Sequence, residues 1–423
     1  MCCAHAALVG LLVAPAAGWS EPPEYAIQYD GSVQYANNPA GLPESLANQI
    51  EGATAIVNTL GVGLRWPFAS DATRLDLSGS ASNVRYSNNT QLDHNPDSVN
   101  ATFYWRATPL FVGNLHYDRT DELSPYINQV WPESDIQRTQ NASAQFGLRV
   151  TDAWELPIVQ VFHGTVNYDA FANHELYAYD QNGWQISARY APDPSGIDNS
   201  ALEFGVRHTA VDYPWRLPDQ VSILDNAYAD SEVFSRVQWD ISSKTWVELR
   251  TGFLRRDYAN LTGRDINLFT VDLHTIYHFS PKVLVDLDAW RRPYADATDP
   301  TIIYSVQTGG LVTVAWQATP KTSLAVFYTN TLQKNTSAAG VSNDDLTLPG
   351  YGVRFQWQPS DNQRWVLDFV SSRQQGLYAF DNYYQRYVRL GFEYAFGSHD
   401  QQGVREMMKP NVCDEQHPAL LIC

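Results

Sequence analysis

One local pattern returns roughly every 40 residues and restricts the chain to very few architectures. An alternating run ends on an aromatic or basic residue, a short turn follows, and a second alternating run begins. The turns read Arg65-Trp66-Pro67 with Asp71, Trp105-Arg106-Ala107-Thr108-Pro109, and Arg149-Val150-Thr151-Asp152. They continue as Arg189-Tyr190-Ala191-Pro192, Trp239-Asp240-Ile241-Ser242-Ser243-Lys244, and Tyr277-His278-Phe279-Ser280-Pro281-Lys282. Trp316-Gln317-Ala318-Thr319-Pro320-Lys321 and Trp357-Gln358-Pro359-Ser360-Asp361 complete the set. Pro turns the chain by fixing φ; Ser, Thr and Asp do so by local side-chain hydrogen bonds. Between the turns lie longer segments rich in Asn, Asp, Gly, Pro and Ser: Asn37 to Gly52, Arg119 to Arg138, Asp212 to Asp230, Arg292 to Pro300, and Lys334 to Pro349. Short turns at one end and long loops at the other are the sidedness of an outer-membrane barrel.

The runs between turn and loop alternate at period two, as in Val233-x-Ser235-x-Val237-x-Trp239 and Phe269-x-Val271-x-Leu273-x-Thr275-x-Tyr277. They span about 10–13 residues, enough for a tilted strand to cross a bilayer. In the terminal run, Tyr387 to Phe396, Val388, Leu390, Phe392, Tyr394 and Phe396 alternate with Arg389, Gly391, Glu393 and Ala395. Eight turns joining two strands each, an opening strand near Tyr25 to Tyr35 and this closing strand give about 18 strands, an even number as bacterial barrels require, with 16 the fallback. The expected fold is all-β: a single transmembrane antiparallel up-and-down β-barrel, its closing strand paired with its first. The weak links are the first strand and 154–165, where Trp154-Glu155-Leu156-Pro157 interrupts the alternation. A β-propeller shares the period but needs four short strands per repeat, where this chain offers two long ones.

Charge and composition narrow the function. The net charge of −18 opposes binding to nucleic acid or to anionic surfaces. No apolar run of about 18 residues follows the N-terminus, so a helical span is not expected. Residues 1–20 read as a signal peptide, with the apolar core Ala6 to Ala17, the small-x-small triplet Ala14-Pro15-Ala16 and cleavage near Ala16-Ala17. The barrel is expected over 21–397 and a periplasmic tail over 398–423. Cys413 and Cys423 lie in that tail, where an oxidising periplasm permits a disulfide.

If apolar residues face lipid, alternation assigns the lumen. Arg65, Arg106, Arg149, Arg189, Glu248, Arg250, Asp272, Asp286, Asp288, Arg354, Arg389 and Glu393 fall on that face. Bases and acids are about equally numerous there, which argues against strong ion selectivity. Arg65, Arg106, Arg149 and Arg189 each adjoin a turn in the first half of the chain, whereas Glu248, Asp272, Asp286 and Asp288 lie in the second. This suggests either a transverse field across the pore or, more plainly, neighbouring strands whose charges pair in weak solvated bridges. Tyr104, Trp246 and Trp290 alternate onto the lumen side as candidate stacking platforms for sugar rings. Trp66, Trp105, Trp239, Trp316 and Trp357 read as the periplasmic aromatic girdle, and Tyr394 and Phe396 as the assembly signal read by the barrel-assembly machinery.

Catalysis finds little support, because no nucleophile elbow, zinc-protease motif or phosphate loop occurs. A barrel lipase needs a Ser beside a His on the outer wall; His208 is on that face, and the sequence identifies no partner for it. Asp225 to Asp230 and Asn343-Asp344-Asp345 read as solvated acidic turns rather than Ca²⁺ loops. No enzyme activity, cofactor or metal is expected.

The W-x-x-T-P-K-T turn at Trp316 to Thr322, the alternating Leu and Val that follow, and the Phe-Glu-Tyr-Ala-Phe finish carry a resemblance. Over 25–396 the chain resembles the EpsL-like exopolysaccharide-biosynthesis outer-membrane barrels of the β-barrel porin 2 group. That resemblance implies a passive conduit passing a polysaccharide polymer across the outer membrane, working with a periplasmic polysaccharide-export protein. It implies no catalytic residues, and the tail beyond Phe396 departs from it. A general diffusion porin for small polar solutes is the alternative, and a structural or adhesive barrel the third reading.

Overall fold

Strands with one apolar and one wet face leave hydrogen-bonding edges that a membrane does not tolerate, so a sheet made of them must close. The computed structural model describes residues 22–39, 44, 51–70, 73–108, 110–124, 135–192, 200–294, 302–337, 345–376 and 382–397. The expected signal peptide, the tail and its two cysteines lie outside the described residues. The first six strands are β1 (Glu24–Ala36), β2 (Ala53–Ser70), β3 (Thr73–Tyr86), β4 (Asp97–Thr108), β5 (Phe111–Leu123) and β6 (Ile136–Arg149). Next come β7 (Trp154–Tyr168), β8 (Tyr179–Tyr190), β9 (Ala201–Asp212), β10 (Ala227–Ser242), β11 (Thr245–Tyr258) and β12 (Ile266–Ser280). The last six are β13 (Val283–Tyr294), β14 (Ile302–Thr319), β15 (Thr322–Ser337), β16 (Leu346–Ser360), β17 (Gln363–Gln374) and β18 (Tyr383–Gly397). Two short helices, α1 (Phe171–Tyr177) and α2 (Pro218–Leu224), lie in the β7–β8 and β9–β10 loops.

Every strand pairs antiparallel with its sequence neighbours, and β18 pairs with β1 to close an 18-stranded barrel. The closing register sets Tyr394 against Tyr29, Glu393 against Asp30 and Arg389 against Gln34, so the expected count and closure are both met. The strands run 12 to 18 residues, longer than the 10–13 expected, because they continue past the apolar band into a polar rim. The eight turns are at one end, but the β8–β9 connection, 191–200, is longer than the two-residue links such as 320–321. Strand β7 carries the irregularity foreseen at Trp154-Glu155-Leu156-Pro157: its register slips between Glu155 and Ile158.

The outward face explains the membrane fit. On β10 the outward residues from the turn end are Trp239, Val237, Ser235 and Val233, then Ser231. On β11 they are Val247, Leu249, Thr251 and Phe253, then Arg255; on β17, Trp365, Leu367 and Phe369, then Ser371 and Arg373. Polar residues therefore begin about eight positions above the girdle, which at ~3.3 Å per residue and a tilt near 40° is roughly 20 Å. Within the band, Ser235 and Thr251 share a 3.0 Å hydrogen bond, so both hydroxyls find a partner inside the wall. Trp239, Trp316, Trp357 and Phe396 are exposed at the lower edge, and Trp66 stacks on Phe68. No described helix is long and apolar enough to cross a membrane; the strands make the crossing.

Glycines keep the inner wall low where a large side chain must lie flat. A Cβ on Gly309 would stand 2.6 Å from the Trp290 ring, and one on Gly205 2.6 Å from Phe234. Both rings spread along the wall over these positions instead of projecting into the lumen.

Candidate functional site

The pairing register assigns each wall charge a face and neighbours. Arg65, Arg106, Arg149, Arg189, Glu248, Arg250, Asp272, Asp286, Asp288, Arg354, Arg389 and Glu393 all lie on the face opposite the exposed apolar one. Most are paired locally. Arg65 lies 3.5 Å from Glu24 and 3.4 Å from Asp76, which also takes Arg74. Arg250 bridges Glu232 and stands 4.0 Å from Asp272, while Arg236 bonds Glu248 at 2.7 Å. Asp368, 1% exposed, lies between Arg354 and Arg389, and Arg364 bonds Glu393.

A row of facing charges runs sideways around the lower wall. Arg149 faces Glu155, Glu155 faces Arg189, and Arg189 faces Glu203. Glu203 then faces Arg236, Arg236 faces Arg250, and Arg250 faces Asp272. Glu155 is absent from the sequence-derived set because the break beside Pro157 hides its alternation. The row mixes signs along neighbouring strands, so the four arginines do not form a uniform basic wall. Arg106, Arg149 and Arg189 nevertheless make no ion pair with a described residue. Arg106 on β4 and the Asp286/Asp288 pair on β13 are nine strands apart in a ring of 18, on opposite walls of the pore.

The opposite end of the barrel is built differently. In the β9–β10 loop Asp225 is 1% exposed and stands at φ 62°. Its carboxylate accepts hydrogen bonds from the backbone N–H groups of Asn226, Asn260 and Leu261 and from the Asn260 side chain, all within 2.7–2.8 Å. Burial alone would raise this carboxyl, but the donors from Asn260, Leu261 and Asn226 outweigh it and hold Asp225 below the ordinary carboxylate range. Its valences are filled by protein donors, and a Ca²⁺ role is unnecessary. It is also buried, where the sequence suggested a solvated turn; Asn343 and Asp344 lie outside the described residues.

Arg216, in the same loop, donates to the carbonyls of Leu224 and Asp225 and, at 3.1 Å, to Leu176 of α1. Its guanidinium covers the Tyr213 ring at 3.6 Å. Below it, Arg256 grips Asp230 with two 2.8 Å bonds and covers Tyr228. Asn173 of α1 bonds Asp135, whose other oxygen accepts from the Ala170 N–H. Tyr168, Tyr228, Tyr258 and Arg256 point inward by register, and the ring of Tyr177 on α1 packs against Tyr168. Helix α1 therefore packs on an inward-facing residue of β7, and Arg216 ties the β9–β10 loop, which carries α2, to it at Leu176. The sequence gives no expectation of these contacts.

The candidate stacking platforms have neighbours of their own. Arg74 covers Tyr104 at 4.4 Å, Trp246 meets His274 edge-on at 5.2 Å, and Trp290 lies over Gly309 with Arg292 at 5.8 Å. On the outer wall, His208 does have a serine partner: its Nδ1 is 3.1 Å from Ser231 Oγ. No described residue hydrogen-bonds the ring's other nitrogen, so the third, orienting member of a catalytic triad is lacking among the described residues.

No family model and no curated protein matches the chain. Solved structures do. The outer membrane protein OpdK from Pseudomonas aeruginosa superposes with a TM-score of 0.50 at 10% identity, covering 90% of this chain and 100% of that one. OpdK has also been solved with vanillate. OpdQ from Pseudomonas aeruginosa gives a TM-score of 0.50 at 9% identity, covering 89% of this chain and 99% of that one. The shared feature is the fold. A closed 18-stranded barrel with an apolar belt and a lower aromatic girdle is the fold of an outer-membrane barrel, seated in the lipid of the bacterial outer membrane.

Proposed function

We propose that this barrel is a diffusion channel for small polar solutes. The observation that carries the reading is the set of loop-end contacts, which we read as a cap: α1 packs on the inward-facing Tyr168, Arg216 ties the β9–β10 loop to α1, and Asp225 ties it to the β11–β12 loop. A wall of 18 strands leaves an aqueous lumen, and an inward cap narrows its outer mouth without sealing the wall below. That geometry suits solutes of sugar or amino-acid size. The lower wall supports it, since paired charges of both signs keep the lumen wet while Arg106 and the Asp286/Asp288 pair leave opposite charges facing each other across the pore.

Export of an exopolysaccharide with a periplasmic partner, which the terminal-strand resemblance implies, is the competing proposal. A polymer conduit needs a mouth open to a continuous chain, and the cap weighs against it. Deleting the gene separates the two. The channel reading expects slower uptake of small polar solutes with extracellular polysaccharide unchanged. Loss of extracellular polysaccharide with normal uptake would reverse the choice.

A further inference from the structure

Several lumen-face carboxylates make no ion pair with an arginine or lysine among the described residues, and two of them share a strand beside a histidine. Asp286 and Asp288, two residues apart on β13, point the same way, and His274 of β12 sits directly opposite Asp288. His274 Nε2 is 3.0 Å from Asp286 Oδ1, and one ligand atom from each of the three side chains lies within 4.8 Å of the others. No Arg or Lys among the described residues lies within ion-pair distance of either aspartate. Asp76, Glu232, Glu248, Asp368 and Glu393 each have an arginine. Glu248 and Asp272, the nearest acids on adjoining strands, are engaged by Arg236 and Arg250 respectively.

We propose that His274, Asp286 and Asp288 form a lumenal binding site for a first-row transition-metal dication, with Zn²⁺ the fitting representative. One imidazole nitrogen and two carboxylate oxygens are a three-ligand zinc set that leaves a fourth position for water from the lumen. The imidazole disfavours Mg²⁺ and Ca²⁺, which take oxygen ligands. Around a tetrahedral zinc the ligand atoms stand roughly 3.3 Å apart, so closing the present spread takes rotation of side chains and no backbone movement. The ladder is unbroken at this point, with Ile276 facing Asp286 and His274 facing Asp288, so the three ligands are carried on a rigid part of the wall. Trp246 packs edge-on against the His274 ring and limits its rotation. The ion takes the position between His274 Nε2 and Asp286 where a hydrogen bond now runs, and it neutralises the two aspartates. The bound pore then keeps Arg106, Arg149 and Arg189 with less acid to oppose them, and its selectivity moves toward anions. The site stands whichever solutes the pore passes.

The test is Zn²⁺ binding to the refolded full-length barrel by equilibrium dialysis, with folding of each variant checked by heat-modifiable gel mobility. One ion per barrel is expected. His274→Gln, Asp286→Asn and Asp288→Asn should each weaken binding beyond the roughly 10–100-fold loss that follows removal of a metal's outer-shell partner. His208→Gln, on the outer wall, should bind as wild type. Equal Zn²⁺ uptake by wild type and His274→Gln would overturn the proposal. Should a variant fail to fold, Co²⁺ bound to the wild-type barrel decides: an intense visible spectrum of a four-coordinate ion supports the site, and the faint spectrum of the hydrated ion rejects it.

Discussion

The two rims of this barrel are held by different physics. At the turn end, links such as 320–321 join strands with little intervening chain, a tryptophan girdle marks the membrane edge, and Arg106, Arg149 and Arg189 are without ion pairs among the described residues. At the loop end, buried polar groups hold two loops together through Asp225, with donors 35 and 36 residues away, and a third through Arg216. The lower rim is therefore electrically active and mechanically simple. The upper rim is mechanically specific. On the proposed channel reading, a barrel divided this way filters by charge at one end and by size at the other.

Substitutions at the two rims should then have opposite signatures. Asp225→Ala has the largest expected effect: it orphans four donors, each costing about 1–3 kcal/mol when buried. Single-channel conductance should rise as the cap loosens, while selectivity holds; unchanged conductance would remove the cap from the account. Asp225→Gly separates strain from bonding. It relieves a positive-φ residue, itself a strain of about 1–3 kcal/mol, yet loses the same donors, so it should also open the pore.

Acid should reproduce part of this effect. The folded-state carboxyl of Asp225 is depressed below its ordinary value of 3.8, so its contribution is complete above that value and fades as pH falls below it. Conductance should be flat from neutrality to about pH 4 and rise only in stronger acid. A rise near pH 6 would point to another group.

Charge reversal below comes next. Arg106→Glu with Arg149→Glu should shift reversal potentials toward cations with little change in stability, because neither arginine has an ion pair among the described residues to lose. Unchanged selectivity would show that the lower wall's charges cancel completely. The smallest effect is expected from Trp357→Ala in the girdle, a modest loss of thermal stability in detergent with conductance unaltered.

The same division decides what the sequence reveals. Turn chemistry and period-two alternation act within a few residues, so the strand number, the closure of Tyr387 to Phe396 onto the first strand and the girdle at Trp239, Trp316 and Trp357 were legible. Alternation also assigns Arg354, Asp368 and Arg389 to one face, though only register shows them meeting. Glu155 was lost where Pro157 breaks the pattern. The cap was not legible, because the Asp225–Asn260 and Arg216–Leu176 contacts join separate loops with no periodicity. Ser231 beside His208 was missed for a related reason: the two sit on adjacent strands, and which residues face each other depends on the register set by the loop between them.

The most direct test is a liposome-swelling series with the purified full-length barrel and uncharged sugars of increasing size. Monosaccharides should enter rapidly, entry should fall steeply through di- and trisaccharides, and the cutoff should move to larger sugars in Asp225→Ala. Equal passage of monosaccharides and long oligosaccharides through the wild-type barrel would contradict the channel reading.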